Sequence, residues 1–429
     1  MNRKTSVLLC LCCLCCIHET AAQLYAESKT QHRFAQTYIG LNTQLMPASG
    51  QLVWQDEQQP FPTQIVPRLT IGGLHFWGKL DFNMNFPLTL LGDRSLTAGG
   101  EVRYNPGADL SARYYPWRML FGKVRPYFGV SLNQSTLILG SEARGRRADI
   151  FINTSLLGGL SFAAKGWQLN AEVMYMPRSQ RDFYSTLQHR HTFQLPQVYP
   201  ALGLIRFFDV TLKEEAPKLA GKTQVLEKQL LAEGKLNSFS IGFAPSSAYF
   251  IQAPPPLADY PSLPRHKGNV NLEFGLGYLF HQANLHLGLT YRSYTSNTDS
   301  YTLEHLIKRQ ALSLEVYKFL WDYNGFVPFA GLSLSGERWA TGLFAGDVQQ
   351  GETQRSQLLS PGLIFGWDIL ASPLETWILR TNLRYYPFQN IKEVDGSKVR
   401  VDQFEFNFIQ LVIYPNRMKH IGRAKQNFY

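Results

Sequence analysis

The side chains in this sequence that could do chemistry are histidines and scattered charges, because the common catalytic motifs are missing. The sequence contains no phosphate-binding loop, no His-Glu-x-x-His and no Gly-x-Ser-x-Gly. His189 and His191 lie near two arginines and could clamp a metal or a phosphate. Metal ligation needs more converging ligands than these two, so an exposed basic loop is the preferred interpretation. We therefore predict that the chain is not an enzyme and holds no cofactor or metal.

Charged residues recur inside segments that otherwise alternate between polar and apolar residues. Their position in the alternation places them on the polar face, which would be the inside of a barrel. In a narrow barrel such charges pair and fill the interior, whereas in a wide barrel they line a pore and set ion selectivity. The sequence leaves both alternatives open. The predicted lumen-lining residues are Asp81, Arg113, Arg125, Glu172, Glu273, Glu315, Arg380, Arg384 and Glu405.

The elements that must position these charges are strands. The segment from Lys79 to Phe86 alternates strictly, with every second residue apolar. The pattern recurs in segments of roughly ten residues, which is the length of a tilted membrane-spanning strand. Long and short links alternate between the segments, as an up-and-down meander with both termini in the periplasm requires. The other alternating segments are 124–133, 167–175, 271–280, 285–291, 377–385 and 404–408.

Composition agrees with a membrane barrel and not with a typical soluble enzyme. Charged residues make up 17% of the chain, below the ~25% typical of globular domains. Aromatic residues reach 13%. No segment after the N-terminal leader is apolar for the ~20 residues that a membrane helix needs. We predict an all-β, transmembrane, antiparallel up-and-down barrel.

Residues 1–22 have the pattern of a cleaved secretory signal peptide. A basic start at Arg3-Lys4 precedes an apolar run from Val7 to Ile17, and the exit is Ala21-Ala22. As a helix, the apolar run would rise only ~16 Å, too short for a ~30 Å hydrocarbon core. All five cysteines of the chain lie in this leader. The exported chain would therefore contain neither disulfides nor thiolate metal sites.

The second half of the sequence repeats the plan of the first. The segment from Arg125 to Leu132 pairs with Phe326 to Leu334. Three further segments pair in the same order: 38–41 with 239–242, 174–177 with 384–388, and 201–208 with 406–414. Each half reads as about eight strands, which suggests an internal duplication. We predict one barrel of about 16 strands, with two tandem eight-stranded barrels as the alternative. The predicted divisions are an N-terminal periplasmic segment (23–33), a first barrel half (34–210), a periplasmic linker with a short helix (211–236), a second barrel half (237–415) and a basic C-terminal tail (416–429).

The formal charge of +10 favours anionic partners. Arg144, Arg146 and Arg147 fall in a predicted outer loop, where they could contact lipopolysaccharide phosphates. The alternative is an ordinary solvated loop. No nucleic-acid-binding motif is present. The predicted partners are outer-membrane lipid and lipopolysaccharide, the barrel-assembly machinery and an envelope protein.

Several motifs resemble the small outer-membrane β-barrel family that is common in Bacteroidetes. They are the Ala-Ala-Gln leader exit, Pro-Tyr-Phe-Gly-Val-Ser-Leu at 126–132, Val-Pro-Phe-Ala-Gly-Leu-Ser-Leu at 327–334 and an aromatic closing strand. The resemblance implies a barrel fold in the outer membrane and no particular substrate. The chain departs from the usual outer-membrane ending, because a basic tail continues past Tyr414.

Together these patterns lead to three hypotheses of function. The strand count favours a passive pore or solute channel. The long outer loops and the periplasmic linker favour a non-conducting structural or adhesive barrel, or a subunit of an envelope complex. A lipid hydrolase with its site at one rim is the least favoured.

Overall fold

The computed structural model describes most of the chain after residue 32, so the predicted leader and most of the N-terminal periplasmic segment lie outside the described residues. The described ranges are 33–54, 57–60, 63–88, 102–141, 145–184, 190–209, 217–251, 257, 259–260, 262–323, 325–370 and 374–428.

The described residues are arranged mainly in antiparallel strands, which confirms the all-β prediction. The strands in chain order are β1 (Gln36–Met46), β2 (Gln51–Trp54), β3 (Glu57–Pro60), β4 (Gln64–His75), β5 (Leu80–Pro87), β6 (Val102–Tyr114), β7 (Val124–Ser141), β8 (Gly145–Ala164), β9 (Trp167–Tyr175), β10 (Gln180–Tyr184), β11 (Arg190–Gln194), β12 (Val198–Asp209), β13 (Ser238–Phe250), β14 (Gly268–Phe280), β15 (Leu285–Ser300), β16 (Leu303–Phe319), β17 (Phe326–Ala345), β18 (Val348–Ile369), β19 (Trp377–Tyr386), β20 (Asn390–Lys392), β21 (Lys398–Arg400) and β22 (Gln403–Ile413).

The first half of the chain closes into its own ring of eight strands. Strand β1 pairs with β4 on one side and with β12 on the other. The ring continues from β4 through β5, β6, β7 and β8 to β9, and β9 returns to β12. Tyr38 of β1 thus lies opposite Phe207 of β12. No edge is left open in this ring, because every strand has a neighbour on both sides.

The second half closes in the same way, so the prediction of one barrel with about 16 strands is wrong. Strand β13 pairs with β14 and with β22, while β15 through β19 complete the ring. The two halves form the alternative architecture, two tandem eight-stranded barrels. Alternation determines which face of a strand turns outward. It does not determine which distant strand closes the ring, so the number of rings could not be predicted from it.

The four segment pairs noted in the sequence occupy equivalent positions in the two rings. Counted along each ring in chain order, β1 and β13 are the first strands and β7 and β17 are the fifth. Likewise, β9 and β19 are the seventh strands and β12 and β22 the last. The two barrels therefore share one strand plan.

The exterior of the barrels carries a band of exposed apolar side chains. On β14 the outward row runs from Val270 to Phe280. At ~3.3 Å per residue and a tilt of ~45°, this row is about 25 Å tall, the height of the apolar band of membrane barrels. Tryptophans with exposed indoles mark the short-turn end of the barrels, where an aromatic girdle would meet a membrane interface. They are Trp117, Trp167, Trp321 and Trp377.

The two barrels pack against each other through aromatic side chains of their outer walls. Near the short turns, the ring of Phe76 lies 4.9 Å from that of Phe326. Higher up, Trp367 packs against Phe82 with ring centroids 5.7 Å apart. At the opposite end, Ala148 of β8 bridges to Asp299 of β15. The barrels thus touch at both ends.

Two helices lie at the short-turn end. Helix α1 (Pro217–Ala232) belongs to the predicted linker, and helix α2 (Pro415–Phe428) replaces the predicted basic tail. Leu226 and Leu230 of α1 are buried against Ile421 of α2, whereas Val225 is exposed. Helix α2 begins directly after the closing strand β22, and Arg417 in its first turn donates to the backbone oxygen of Leu236 at 2.9 Å. Among the described residues, no helix has the length and apolar character needed to cross a bilayer.

Candidate functional site

The interior of the first barrel holds a buried ion-pair network. Arg113 lies between two carboxylates: its Nε donates to Glu172 at 2.8 Å and its Nη1 to Asp81 at 3.1 Å. The hydroxyl of Tyr38 donates to Asp81, and that of Tyr127 donates to Glu172 at 3.1 Å. Each charge is therefore both paired and hydrogen-bonded, as burial of ionised groups requires.

Two further arginines fill this barrel above and below the network. Arg68 forms an ion pair with Asp109 and donates to Gln44. At the short-turn end, Arg125 donates to the backbone oxygen of Gly78 at 3.0 Å and stacks over the ring of Tyr115 at 4.3 Å. Charged side chains thus occupy the barrel over most of its height.

The second barrel contains a larger network of the same kind. Arg384 lies between Glu273 and Glu315, with its Nη1 2.8 Å from the first and its Nε 2.6 Å from the second. Arg292 and Arg309 both donate to Glu405, and Arg309 also pairs with Glu337 at 2.6 Å. Arginines and glutamates therefore alternate across the interior.

A separate pair lies nearer the short-turn end of the same barrel. Arg380 binds the carboxylate of Asp368 in bidentate fashion, at 2.6 and 2.8 Å. Its guanidinium also lies over the rings of Tyr317 and Phe329. These cation–π contacts and the bidentate pair with Asp368 hold the guanidinium inside the barrel.

Three inward tyrosine rings pack directly against glycines of the neighbouring strand. A Cβ at Gly72 would lie 2.4 Å from the ring of Tyr38, and a Cβ at Gly159 would lie 2.7 Å from the ring of Tyr127. In the second barrel a Cβ at Gly362 would lie 2.6 Å from the ring of Tyr386, whose hydroxyl contacts Arg292 at 2.9 Å. These glycines leave room for each ring to lie flat on the wall, so that its hydroxyl reaches the charges.

All nine residues predicted to face the lumen are buried in the two barrels. They are brought together in two separate groups, Asp81, Arg113, Arg125 and Glu172 in the first barrel and the other five in the second. Sequence reasoning missed Arg292, Arg309 and Glu337. Extending the alternation of 285–291 by one residue would have placed Arg292 inside, since it shares the parity of His286 and Thr290.

Small cavities lie beside the two networks. A cavity of about 20 Å³ lies in the first barrel beside Arg68 and Tyr104, and another of about 20 Å³ lies in the second beside Glu315 and Arg380. Either volume suffices for roughly one water molecule. A further cavity of about 170 Å³ lies at the short-turn end of the second barrel, between Phe319, Asp368 and Tyr414. Beside the networks themselves, the described charges occupy most of the space between the strands.

The end of each barrel opposite the short turns is covered by its own loop structure. In the first barrel, β10 and β11 pair with β2 and β3, and Phe183 and Phe193 pack onto Leu137 and Met174 of the wall. In the second, the β20–β21 hairpin places Ile391 against Trp339 and Tyr294. Apolar side chains of these loop structures thus cover the barrel ends above the buried charge networks.

A chain of buried polar groups joins three outer segments of the second barrel. Nδ1 of His266 lies 2.8 Å from the hydroxyl of Ser296, and its Nε2 lies 3.0 Å from Nδ1 of His305. Nε2 of His305 then lies 3.0 Å from Glu393. Burial lowers the pKa of His266 well below its ordinary value, and the nearby His305 lowers it further. Ser296 is only 5% exposed, so its hydroxyl is not accessible from solvent. This series of polar contacts therefore connects the outer segments to one another.

The residues predicted to contact lipopolysaccharide are differently placed. Arg147 is buried: it pairs with Asp149 at 2.7 Å and donates to Ser300 at 3.2 Å across the two barrels. It cannot serve as an exposed loop cation, because β7 and β8 continue through most of the region predicted to be a loop. Arg144 lies outside the described residues, as does the side chain of Arg146.

The histidines of the predicted basic loop give no metal centre. His189 and the side chain of His191 lie outside the described residues. In the part of the chain that is described, no group of three or more His, Cys, Asp or Glu side chains could hold a metal ion.

Comparisons with known proteins give no family for the chain. No protein-family model matches it, and no curated protein matches it. Solved structures that resemble it include Neisserial surface protein A, at 13% identity over 42% of this chain and 97% of that one, with a TM-score of 0.27. Ail, the attachment invasion locus protein of Yersinia pestis, shares 12% identity over 42% of this chain and 96% of that one, with a TM-score of 0.26.

A longer match is an outer membrane channel from Pseudomonas putida F1. It shares 8% identity over 88% of this chain and 94% of that one, with a TM-score of 0.22. All three proteins are of the outer-membrane type, but likenesses this distant carry no argument about this chain.

Proposed function

We propose that the chain is a closed, non-conducting double barrel of the bacterial outer membrane with a structural or adhesive role, either alone or in an envelope complex. The observation that carries this proposal is the filling of both interiors by paired charges. The sequence favours a passive pore only if about sixteen strands form one ring, which can enclose a channel. A ring of eight strands encloses an interior that its own side chains can fill. In both barrels the inward charged side chains form ion pairs and hydrogen bonds with one another.

The exterior supports the membrane location. Apolar side chains such as Leu272, Phe274 and Leu276 are about half exposed, and burying them in lipid would remove this area from water. In the proposed orientation the exposed tryptophans and both helices face the periplasm. The chain would reach this membrane through the signal peptide at 1–22 and the barrel-assembly machinery.

The proposed structural or adhesive role is supported by the strands that extend past the apolar band. Among them, β17 and β18 contain 20 and 22 residues and run far beyond Leu334 and Leu363 of the band. Together with β8 and β15, which meet at Ala148 and Asp299, they form an extended sheet surface outside the band. An exposed sheet surface on a closed barrel suits contact with other molecules better than transport does. We also propose that the shared strand plan of the two barrels reflects an internal duplication.

Reconstitution into planar bilayers tests the proposal. The refolded protein should insert, as shown by a shift in electrophoretic mobility between unheated and boiled samples, and should give no stepwise conductance across a range of salts. Reproducible conductance steps from protein that shows this shift would overturn the closed-barrel proposal. A protein that stays soluble and folded without detergent would overturn the membrane location.

A further inference from the structure

The outer wall of the second barrel carries three cations just above the apolar band. Lys308, Arg338 and Arg355 lie on the neighbouring strands β16, β17 and β18, and all three side chains are exposed on the exterior. Within the described part of the chain, none of them forms a hydrogen bond or an ion pair. They are therefore available to an anion that approaches from outside.

Strand register brings the three cations together. Lys308 and Arg355 both pair with Ala340, one from each side. Since neighbouring strands lie ~4.8 Å apart, the two cations flank Ala340 at about 10 Å from each other. Arg338 is the next outward residue on β17 and is diagonal to both, at roughly 7–8 Å. Side chains of this length can converge on one phosphate.

A groove lies directly below the cations and leads into the apolar band. Its volume is about 650 Å³, and its walls include Tyr291, Leu312 and Leu359. Gly336 forms its floor, where an added Cβ would meet only the backbone oxygen of Leu312 at 3.8 Å. Gln310 and Gln357 lie level with Arg338 at the top. The groove is therefore polar above and apolar below, like a lipid at the membrane surface.

The surrounding charges favour an anion at this position. The nearest acidic residues on the exterior are Glu304 of β16 and Glu352 of β18, and both lie farther from the band than the cations. Glu304 accepts a hydrogen bond from Asn297 at 2.8 Å. Glu337 of β17 points inward and is bound by Arg309. Lys318, on the same outer face of β16, lies at the opposite end of the band. The cluster is thus at the end away from the short turns, which the proposed orientation places in the outer leaflet.

We propose that Lys308, Arg338 and Arg355, with the groove over Gly336, bind a phosphorylated lipid of the outer leaflet. The phosphate lies among the three cations, and an acyl chain fills the groove between Tyr291, Leu312 and Leu359. Charge complementarity and the continuity of the groove with the apolar band identify this occupant. The inference rests on the proposed membrane location, and it adds a lipid site to the proposed function.

Native mass spectrometry of the detergent-solubilised protein with bis-phosphorylated lipid A tests the site. The wild-type protein should retain one lipid A more strongly than it retains phosphatidylcholine. Each surface cation contributes about fivefold to binding an anionic lipid. The combined variant K308Q/R338Q/R355Q should therefore lose on the order of 100-fold in affinity. The matched control K318Q, which removes a cation from the same strand at the other rim, should bind as the wild type does.

A second variant separates the groove from the charges. Gly336→Leu fills the groove but keeps all three cations, and it should weaken lipid A without creating a preference for phosphatidylcholine. The proposal is overturned if the triple variant binds as tightly as K318Q, if glucosamine phosphate without acyl chains competes as well as lipid A, or if a second copy of the chain occupies the surface. If the protein shows the mobility shift but fails these tests, the lipid-site proposal is wrong while the double-barrel proposal is unaffected.

Discussion

Arg384 and Glu273 face each other across the interior of the second barrel, joined by two hydrogen bonds of 2.8 and 2.9 Å, although 111 residues separate them in the chain. Both side chains are fully buried. The pair connects β19 with β14 through the lumen, and Glu315 on β16 completes the bridge from a third direction. The filling therefore ties opposite walls of the barrel to each other.

Replacing Arg384 with methionine should strongly destabilise the second barrel. The change leaves Glu273 and Glu315 buried without their shared cation, and breaking a buried pair in this way costs about 3–5 kcal/mol. Urea unfolding in detergent micelles, followed by tryptophan fluorescence, measures the loss of free energy. The control K235Q removes a cation from the exposed pair with Glu233 and should cost less than about 1 kcal/mol. Equal stability of R384M and K235Q would show that the network is not a structural filling.

Replacing Gly72 with alanine should displace the ring of Tyr38 and detach its hydroxyl from Asp81. The new methyl group would lie 2.4 Å from the ring and 2.7 Å from the backbone oxygen of Phe82. Overpacking of this kind costs about 1–3 kcal/mol. The matched change Gly158→Ala meets only the backbone oxygen of Tyr127 at 3.8 Å and should be nearly neutral. Thermal unfolding of both variants in detergent compares them, and a neutral G72A would contradict the seating of Tyr38.

The two halves should fold separately, because each ring closes on itself. Residues 23–210 and 211–429, expressed as two polypeptides, should each give a folded barrel in detergent, with its own heat-dependent shift in electrophoretic mobility. Each half should be less stable than in the whole chain, because the contact between Phe82 and Trp367 is lost. Aromatic pairs of this kind are worth about 0.5–1.5 kcal/mol beyond their buried area. If neither half folded alone while their mixture did, the strands would have to form a single ring.

The outer loop that carries His266 should detach as the pH falls. Burial, and then His305, lower the pKa of His266 in the docked loop, whereas in the undocked loop it returns to about 6.5. The undocked state therefore binds more protons below this value, so docking is complete above pH ~6.5 and weakens as the pH falls. The imidazole of His266 contacts Ser296, Thr298 and His305. Glu393 lies beyond His305. Arg265 and Lys267 are the sequence neighbours of His266.

Hydrogen exchange of residues 262–267 at pH 7.5 and pH 5, corrected for intrinsic exchange rates, measures this change. Protection should fall at pH 5 in the wild type. His266→Gln keeps an amide that can reach Ser296 and His305 but removes the titration, so its protection should depend little on pH. An identical loss of protection in wild type and variant would assign the effect to other groups.

Alternation made part of this molecule predictable from its sequence. The parity of Asp81, Arg113 and Glu172 within their strands placed them inside, because side chains of a strand alternate between faces. The partner of β1 was not predictable, since β12 and β22 carry the same alternating pattern and each contains inward and outward residues that β1 could face. Ring closure depends on pairing between distant strands, and a two-residue period contains no information about it.

Arg147 shows the same limit at smaller scale. The sequence predicts a loop for its run of arginines, yet Arg147 lies on β8 and pairs with Asp149, two residues along on the same face. The cluster of Lys308, Arg338 and Arg355 was missed for a related reason. Each cation is unremarkable in its own strand, and only the register of β16, β17 and β18 brings the three together.

The closure of β12 onto β1 has a consequence for the order in which the protein can be assembled. All strands of the first ring precede residue 210, so this ring can seal before the second half has been delivered to the membrane. The assembly machinery would then encounter two closing seams in one polypeptide, the first between β1 and β12 and the second between β13 and β22. An arrested intermediate with one sealed cylinder and a trailing, unfolded second half would be the natural by-product of slow export.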